Sequence, residues 1–417
     1  MSSLKTGLSV AALVGLICGL AIGACAAGTP EQVSLADAVA IAKAHNPDFA
    51  AVAQELGIAE GQLKKARYLS QANFESDNEM WYRARSNRSN SQDWRVALQQ
   101  EFEIFGQRQL RIKSASINYE EAAANLRDQT RLLVAAVKMT FYDAVRSRRR
   151  VSLAQEMASL DERLLNAARS RLNAGEVAPI DYGLAQVQYG HSKGALLEAQ
   201  EEFRAQRSAL GRILGGFLGP EPEPAAEVIQ TEMPLDLSTL EASARHTRPD
   251  LRARQLEVAR LQTEAALNRR RDLPNAIIGT FVGHESNTER VIGPSIGFSV
   301  PLFNHRSAEA AIIEAQRRQA RQRVRATDLD IGRQVRDAFN RYQTAIKALS
   351  IYQQEVIAPA REIMTLHERA FHEGKIDLFR LSFAERESFA AQAGYIEAQF
   401  GVNAAAVALE LATGAAL

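Results

Sequence analysis

Acidic residues fall on alternate positions in two short stretches, Glu75, Asp77 and Glu79 in the first and Glu101 and Glu103 in the second. Alternate positions on a β-strand point to one face. A row of carboxylates opposite an apolar face can attract cations and filter ions, but it catalyses nothing by itself. Each acid also has a plainer reading as a solvated surface carboxylate. The 7 histidines offer little more: His367 and His372 miss the four-residue spacing that turns two ligands to one helix face, and Glu368 is the only acid between them. No nucleophile elbow, phosphate loop or dinucleotide fingerprint occurs. The expectation is therefore no catalytic residue, no cofactor and no tight metal site, hence no enzyme.

The elements that hold these acids are legible from periodicity. From Trp94 to Ile104 the even positions are Trp94, Val96, Leu98, Gln100, Phe102 and Ile104, against Arg95, Ala97, Gln99, Glu101 and Glu103. From Pro294 to Leu302, Ile296, Phe298 and Val300 alternate with Ser295, Gly297 and Ser299. Phe74, Met80 and Tyr82 oppose the first acids, and 276–284 alternates more weakly and is rich in Gly. Period two over about ten residues fits a transmembrane β-strand, and it also fits a half-buried strand of a soluble sheet. Polar segments Arg83–Asp93 and His284–Ile292 read as hairpin loops.

Two long helices follow the hairpins. Gln107 to about Glu156 and Ser307 to Ala358 contain no Pro, and about 50 helical residues span about 75 Å. Ile331, Val335, Phe339, Tyr342, Ile346 and Leu349 form a narrow apolar seam, as do Leu126, Leu133, Val137, Phe141 and Ala144. Such helices pack side by side in a bundle or a wall.

The chain is written twice. Asn46-Pro47-Asp48-Phe49, Phe105-Gly106-Gln107-Arg108, Gly175 and Leu214-Gly215 recur about 200 residues later as Arg248-Pro249-Asp250-Leu251, Phe303-Asn304-His305-Arg306, Gly374 and Thr413-Gly414. The expected layout is a signal at 1–24, a first repeat at 25–220 with hairpin 72–105, a Pro-rich linker at 221–236, and a second repeat at 237–417 with hairpin 275–303. Each repeat reads as a helix, a hairpin and a long helix pair, the first helix starting after Ser34 and running to about Leu69 with a bend near Pro47.

Lys5 and the apolar stretch Leu8–Ile22 make the secretory signal. Ile22-Gly23-Ala24-Cys25 resembles a lipobox, so Cys25 is a candidate lipidation site; ordinary cleavage near Ala26 is the alternative. Cys18 lies within the signal, which leaves no disulfide framework. The 417 residues carry a formal charge of +1 with both signs interspersed, and nothing suggests a nucleic-acid surface. Only 6% of residues are aromatic, which favours long helices over a sandwich.

Four strands have two open edges, and open edges are not tolerated in lipid. If these strands enter a membrane, copies must combine, and three copies supply twelve strands around an aqueous lumen. The fold class expected is mainly α with a small β part: a long α-helical barrel plus four transmembrane strands per chain, closed as a twelve-stranded barrel in a homotrimer.

This layout resembles the TolC-type outer-membrane factors. The matching pieces are Asn46-Pro47 with its copy Arg248-Pro249, Pro301-Leu302-Phe303-Asn304, Ile357-Ala358-Pro359-Ala360, and Ala370 to Leu378 followed by Glu385. The stretch Glu101 to Arg111 is most similar to the heavy-metal branch, the outer components of cobalt–zinc–cadmium and cobalt–nickel efflux. The first repeat departs from the pattern, since Ala154–Ser159 holds no proline.

The resemblance implies a passive conduit in the outer membrane that extends into the periplasm. Its partners would be a periplasmic adaptor and a proton-driven inner-membrane pump of the RND type, besides outer-membrane lipid. The adaptor would meet a helical tip near Gln155–Leu160 and Gln354–Glu362, with Glu355, Pro359 and Glu362 as contacts. Threefold symmetry would turn Glu75, Asp77, Glu79, Glu101 and Glu103 into rings inside the barrel. Gly175 and Gly374 would allow turns in an equatorial belt around the helices. Cargo other than metal, whether drugs or secreted proteins, stays open, as does a soluble periplasmic coiled-coil scaffold.

Overall fold

A computed structural model describes residues 32–81, 91–225, 236–285, 289–299 and 306–414. Cys25, the signal, most of the linker and Pro301–Asn304 lie outside the described residues.

The opening helix is two helices. Helix α1, Leu35–His45, is capped by Ser34, whose hydroxyl accepts from Asp37 N at 3.2 Å. Helix α2, Pro47–Arg67, follows directly. Asn46 stays extended (φ −69°, ψ 119°), the conformation favoured before a proline, so the expected bend is a full break. Strands β1 (Asn73–Trp81) and β2 (Ser91–Phe102) lead into α3, Gln107–Asn173, and α4, Pro179–Ile213. The second repeat gives α5 (Leu237–Thr247), α6 (Pro249–Arg270), β3 (Asn275–Glu285), β4 (Glu289–Ser299), α7 (Ser307–Ile351), a π-helical segment (Tyr352–Ile357), α8 (Ala358–His372) and α9 (Leu378–Thr413). The second hairpin loop is shorter than expected, because Glu285 and Glu289 already pair across the strands.

Helix α3 runs unbroken for 67 residues, about 100 Å. It contains neither Pro nor Gly, so nothing in its sequence stops it before Gly175. It packs on α2 and α6 toward the sheet and on α4 and α9 away from it. Helix α7 packs on α6 and then on α9. The result is a four-column wall. Two columns are continuous, and two are made of shorter helices stacked end to end, α2 on α4 and α6 on α9.

The repeated motifs build those joints. Asn46 caps α2 by accepting from Phe49 N at 2.9 Å, and its amide donates to Ile213 O at the end of α4, also at 2.9 Å. Gly215 adopts φ +71° and lies under the His45 carbonyl; a Cβ there would meet the His45 carbonyl carbon at 2.7 Å. In the second copy arginine replaces asparagine and the chemistry changes. Arg248 donates to Ala412 O at 3.2 Å and to Gln334 at 2.6 Å, and it grips Asp250 with two bonds of 3.0 and 2.6 Å. Thr247 donates to Thr413 O at 2.7 Å, and Arg131 bonds Leu411 O. Two arginines and a threonine hydroxyl thus satisfy the last carbonyls of α9, where the helix dipole favours the cations.

Apolar burial concentrates at these joints. One cluster joins Leu35, Ala38 and Ala42 of α1 to Phe141 and Val145 of α3, Leu210 of α4 and Phe400 of α9. Its counterpart joins Leu240 and Ala244 of α5 to Ile331, Val335 and Tyr342 of α7 and Leu409 of α9. The belt of the wall is therefore built from α1, α5 and the ends of α4 and α9.

Pro359 accounts for the π segment. It has no N–H to bond one turn back, and its ring crowds the preceding turn, so the helix widens just before it. The widened turn lays Tyr352 on Gly394 of α9, where an added Cβ would meet the tyrosine Cζ at 2.7 Å. Gly394→Ala is expected to cost about 1–3 kcal/mol by overpacking. Thermal melting of the purified protein would show it as a lowered midpoint; an unchanged midpoint would mean that the ring moves aside freely.

Candidate functional site

The strands form one antiparallel sheet in the order β1-β2-β3-β4. The two hairpins, far apart in sequence, join through β2 and β3 from Phe102↔Ala276 to Trp94↔His284. Among the described residues, strands β1 and β4 each keep one edge without a partner strand.

The register sorts the side chains. Phe74, Leu98 and Thr280 share one face, as do Val96, Val282 and Ile292, and Ile278 and Ile296. That face is apolar and open: Ile292 is 81% exposed, Ile296 75%, Phe74 69% and Phe298 62%. Such a row of large apolar side chains is not left to water. Positions 75, 77, 79 and 101 fall on the opposite face.

Two of the sequence-identified acids have local duties. Glu101 accepts from Asn275 Nδ2 at 2.8 Å, and Asn275 in turn accepts from the buried Gln107 at 3.0 Å. Glu103 lies past the end of β2 and pairs with Arg111 at 2.7 Å. These contacts fasten the sheet to α3. The register adds acids that the sequence reading left in loops: Asp93, in register with position 79, and Glu289, in register with position 285, fall on the polar face. Arg95 shares that face opposite Asp77, with its guanidinium 5.0 Å from the Phe281 ring centre.

The distal ends of the helices are not where the sequence placed them. Residues 155–160 lie inside α3, and 354–362 span the π segment and the start of α8. Neither is a tip. Glu355, Pro359 and Glu362 lie on the exposed flank of the column formed by α7 and α8, about 18–28 Å short of the turn at Gly374. The tips are the turns that hold Gly175 (φ +77°) and Gly374 (φ +71°), so these glycines do not belong to an equatorial belt.

Both turns close alike. Gly175 N bonds Leu172 O at 3.0 Å and Glu176 N bonds Arg171 O at 2.9 Å; Gly374 N bonds Phe371 O at 3.0 Å and Lys375 N bonds Ala370 O at 2.8 Å. This helix ending needs a left-handed residue, and glycine supplies it. Asp181 and Asp377 then cap the outgoing helices, at 3.2 Å to Ala178 N and 2.8 Å to Arg380 N. Arg171 stacks over the Phe371 ring at 5.0 Å and brings the two turns together.

Among the described residues no three His, Cys, Asp or Glu converge as a metal site would require, and no helix is long and apolar enough to cross a membrane.

The chain matches the model of the outer membrane efflux protein family over residues 38–216 and 240–415. It is 25% identical over 378 residues to the cobalt-zinc-cadmium resistance protein CzcC of Cupriavidus metallidurans, covering 87% of this chain and 86% of that one. In structure it is similar to the CmeC outer membrane channel of Campylobacter jejuni (TM-score 0.79, 13% identity, 92% of this chain and 86% of that one). It is also similar to the open state of the MtrE outer membrane channel of Neisseria gonorrhoeae (TM-score 0.74, 18% identity, 92% and 89%). The family's fold, a helical wall carrying a small antiparallel sheet, is the one built above. The chain belongs to the outer membrane efflux protein family, whose members are passive outer-membrane channels of tripartite efflux systems and not enzymes.

Proposed function

We propose that three copies of this chain close into one conduit that carries divalent heavy-metal cations, cobalt, nickel, zinc or cadmium, out of the cell. The sheet is the observation that carries this reading. Four strands with one open apolar face and two unpaired edges are incomplete in a membrane until other copies close them. The wall shows the same incompleteness. Exposed Ile180, Leu184 and Val187 on α4 and exposed Ile363 and Leu366 on α8 lie on its two opposite edges, as a head-to-tail contact between copies requires.

In that assembly the apolar sheet face meets lipid and Glu75, Asp77 and Glu79 become rings facing the lumen. Cation cargo agrees with those acids and with the likeness to CzcC. A pump of the RND type would supply the energy. A periplasmic adaptor would engage the two glycine turns and the flank bearing Glu355, Pro359 and Glu362. A lipid on Cys25 would add an outer-membrane anchor.

Deleting the protein tests the cargo. The expected result is lowered tolerance to cobalt, nickel or zinc with unchanged tolerance to an organic dye. Unchanged metal tolerance with increased dye sensitivity would assign the conduit to drug efflux.

A further inference from the structure

Two carboxylates are buried together near the distal end of the wall, and the conduit has no evident use for them. Asp161 of α3 is 5% exposed and Glu385 of α9 is 4% exposed. Each has a buried oxygen with no hydrogen-bond partner, Asp161 Oδ2 and Glu385 Oε2. They come from different helical hairpins, α3–α4 and α8–α9, whose inner helices α3 and α9 pack together. Asp161 also lines a cleft of about 240 Å³ with Gln188 and Asp377.

Burying two carboxylates within reach of each other's charge, each with an unpartnered oxygen, is costly, and the cheaper state keeps a proton on one of them. The charged groups that act on Glu385 are Asp161 and Arg163 from α3 and Glu368 from α8. From α4 the Ser192 hydroxyl serves Asp161, as does the Arg386 guanidinium from α9. The two arginines do not neutralise the pair: burial, then the charges of Asp161 and Glu368, push Glu385 up to about 7. Burial likewise raises Asp161.

We propose that Asp161 and Glu385 form a proton-operated latch between the two distal hairpins, packed shut when a proton is held and loosened when it is lost. The direction follows from linkage. The packed state binds the proton more tightly than an opened state in which Glu385 meets water. Local stability is therefore full at and below the ordinary glutamate value of 4.5, falls as pH rises, and levels off above about 7. An envelope compartment whose pH shifts across this range would set how easily the distal end opens. The latch depends on the fold and not on the cargo.

Hydrogen exchange of the full-length protein in detergent between pH 5 and 8, corrected for intrinsic rates, tests it on segments 155–170 and 378–392. Protection there is expected to fall by about tenfold or more across that range, while protection in α6 stays level. Glu385→Gln should abolish the slope. Asp161→Asn, which removes the repelling charge, should move the midpoint to lower pH. A wild-type profile without slope, a slope that survives in Glu385→Gln, or an unmoved midpoint in Asp161→Asn would overturn the latch. Protection restored at high pH by cobalt ion alone would also overturn it, in favour of a metal-held junction.

Discussion

Arg248→Ala is expected to destabilise the protein by about 3 kcal/mol, the low end of the cost of breaking a buried pair, because the Asp250 side chain is 25% exposed. Arg248 is 5% exposed, so its loss strands Asp250 and the Ala412 carbonyl together in the joint between α6 and α9. A purified variant should melt well below wild type or fail to accumulate. Arg248→Lys should not restore it, because an ammonium cannot hold Asp250 with two bonds and reach Ala412 as well.

The pair also has a pH signature. Burial pushes Asp250 up, but the hydrogen bonds and charge of Arg248, with the Leu251 N–H and the Arg131 charge, together outweigh burial, so the carboxyl sits below the ordinary value of 3.8. Its stabilisation is full above 3.8 and is lost as pH falls through the lower folded value. Wild type should lose this contribution in acid, and Arg248→Ala should lose less, since only the Leu251 N–H and the Arg131 charge still favour the carboxylate. A variant that melts with wild type at neutral pH would refute the joint.

The second large effect belongs to the sheet. Ile296, in the middle of β4, pairs with Ile278 on the apolar face and is 75% exposed in the single chain. Ile296→Arg should cost about 2–4 kcal/mol if that face meets lipid at mid-depth. The variant should fail to reach the outer-membrane fraction. Glu75→Arg, on the opposite face, should still insert but should shift ion preference away from cations. Both substitutions partitioning alike would mean that the two faces do not divide lipid from lumen.

Much of this architecture was legible because it rests on local signals. Alternation at Trp94–Phe102 identified the strand and its faces, and register kept them. Asn46-Pro47 and Arg248-Pro249 marked the joints as a repeated motif, although the bend expected at Pro47 is a full break between two helices.

The errors came from signals that mark a turn without placing it. Gly175 and Gly374 announce left-handed positions, but whether these lie at a belt or a tip depends on where α3 ends. The absence of Pro and Gly from 107 to 173 held that answer. Pro359 looked like a terminus, yet a π-helical turn absorbed it within a longer helix. Asp161 carried no signal, and Glu385 entered only as a matching piece of the resemblance, with nothing to mark it as buried. On a charged helix a single acid is unremarkable, and only packing of α3 on α9 shows that these two lost their water. The same holds for Glu101 and Glu103, whose partners Asn275 and Arg111 are set by tertiary contact.

This chain is expected to close a membrane pore only as an assembly of copies. Mass determination of the detergent-purified protein, followed by conductance in a planar bilayer, tests it most directly. A trimer with steady, cation-preferring conductance is the predicted result. A monomer that stays soluble without detergent and leaves the bilayer silent would contradict it.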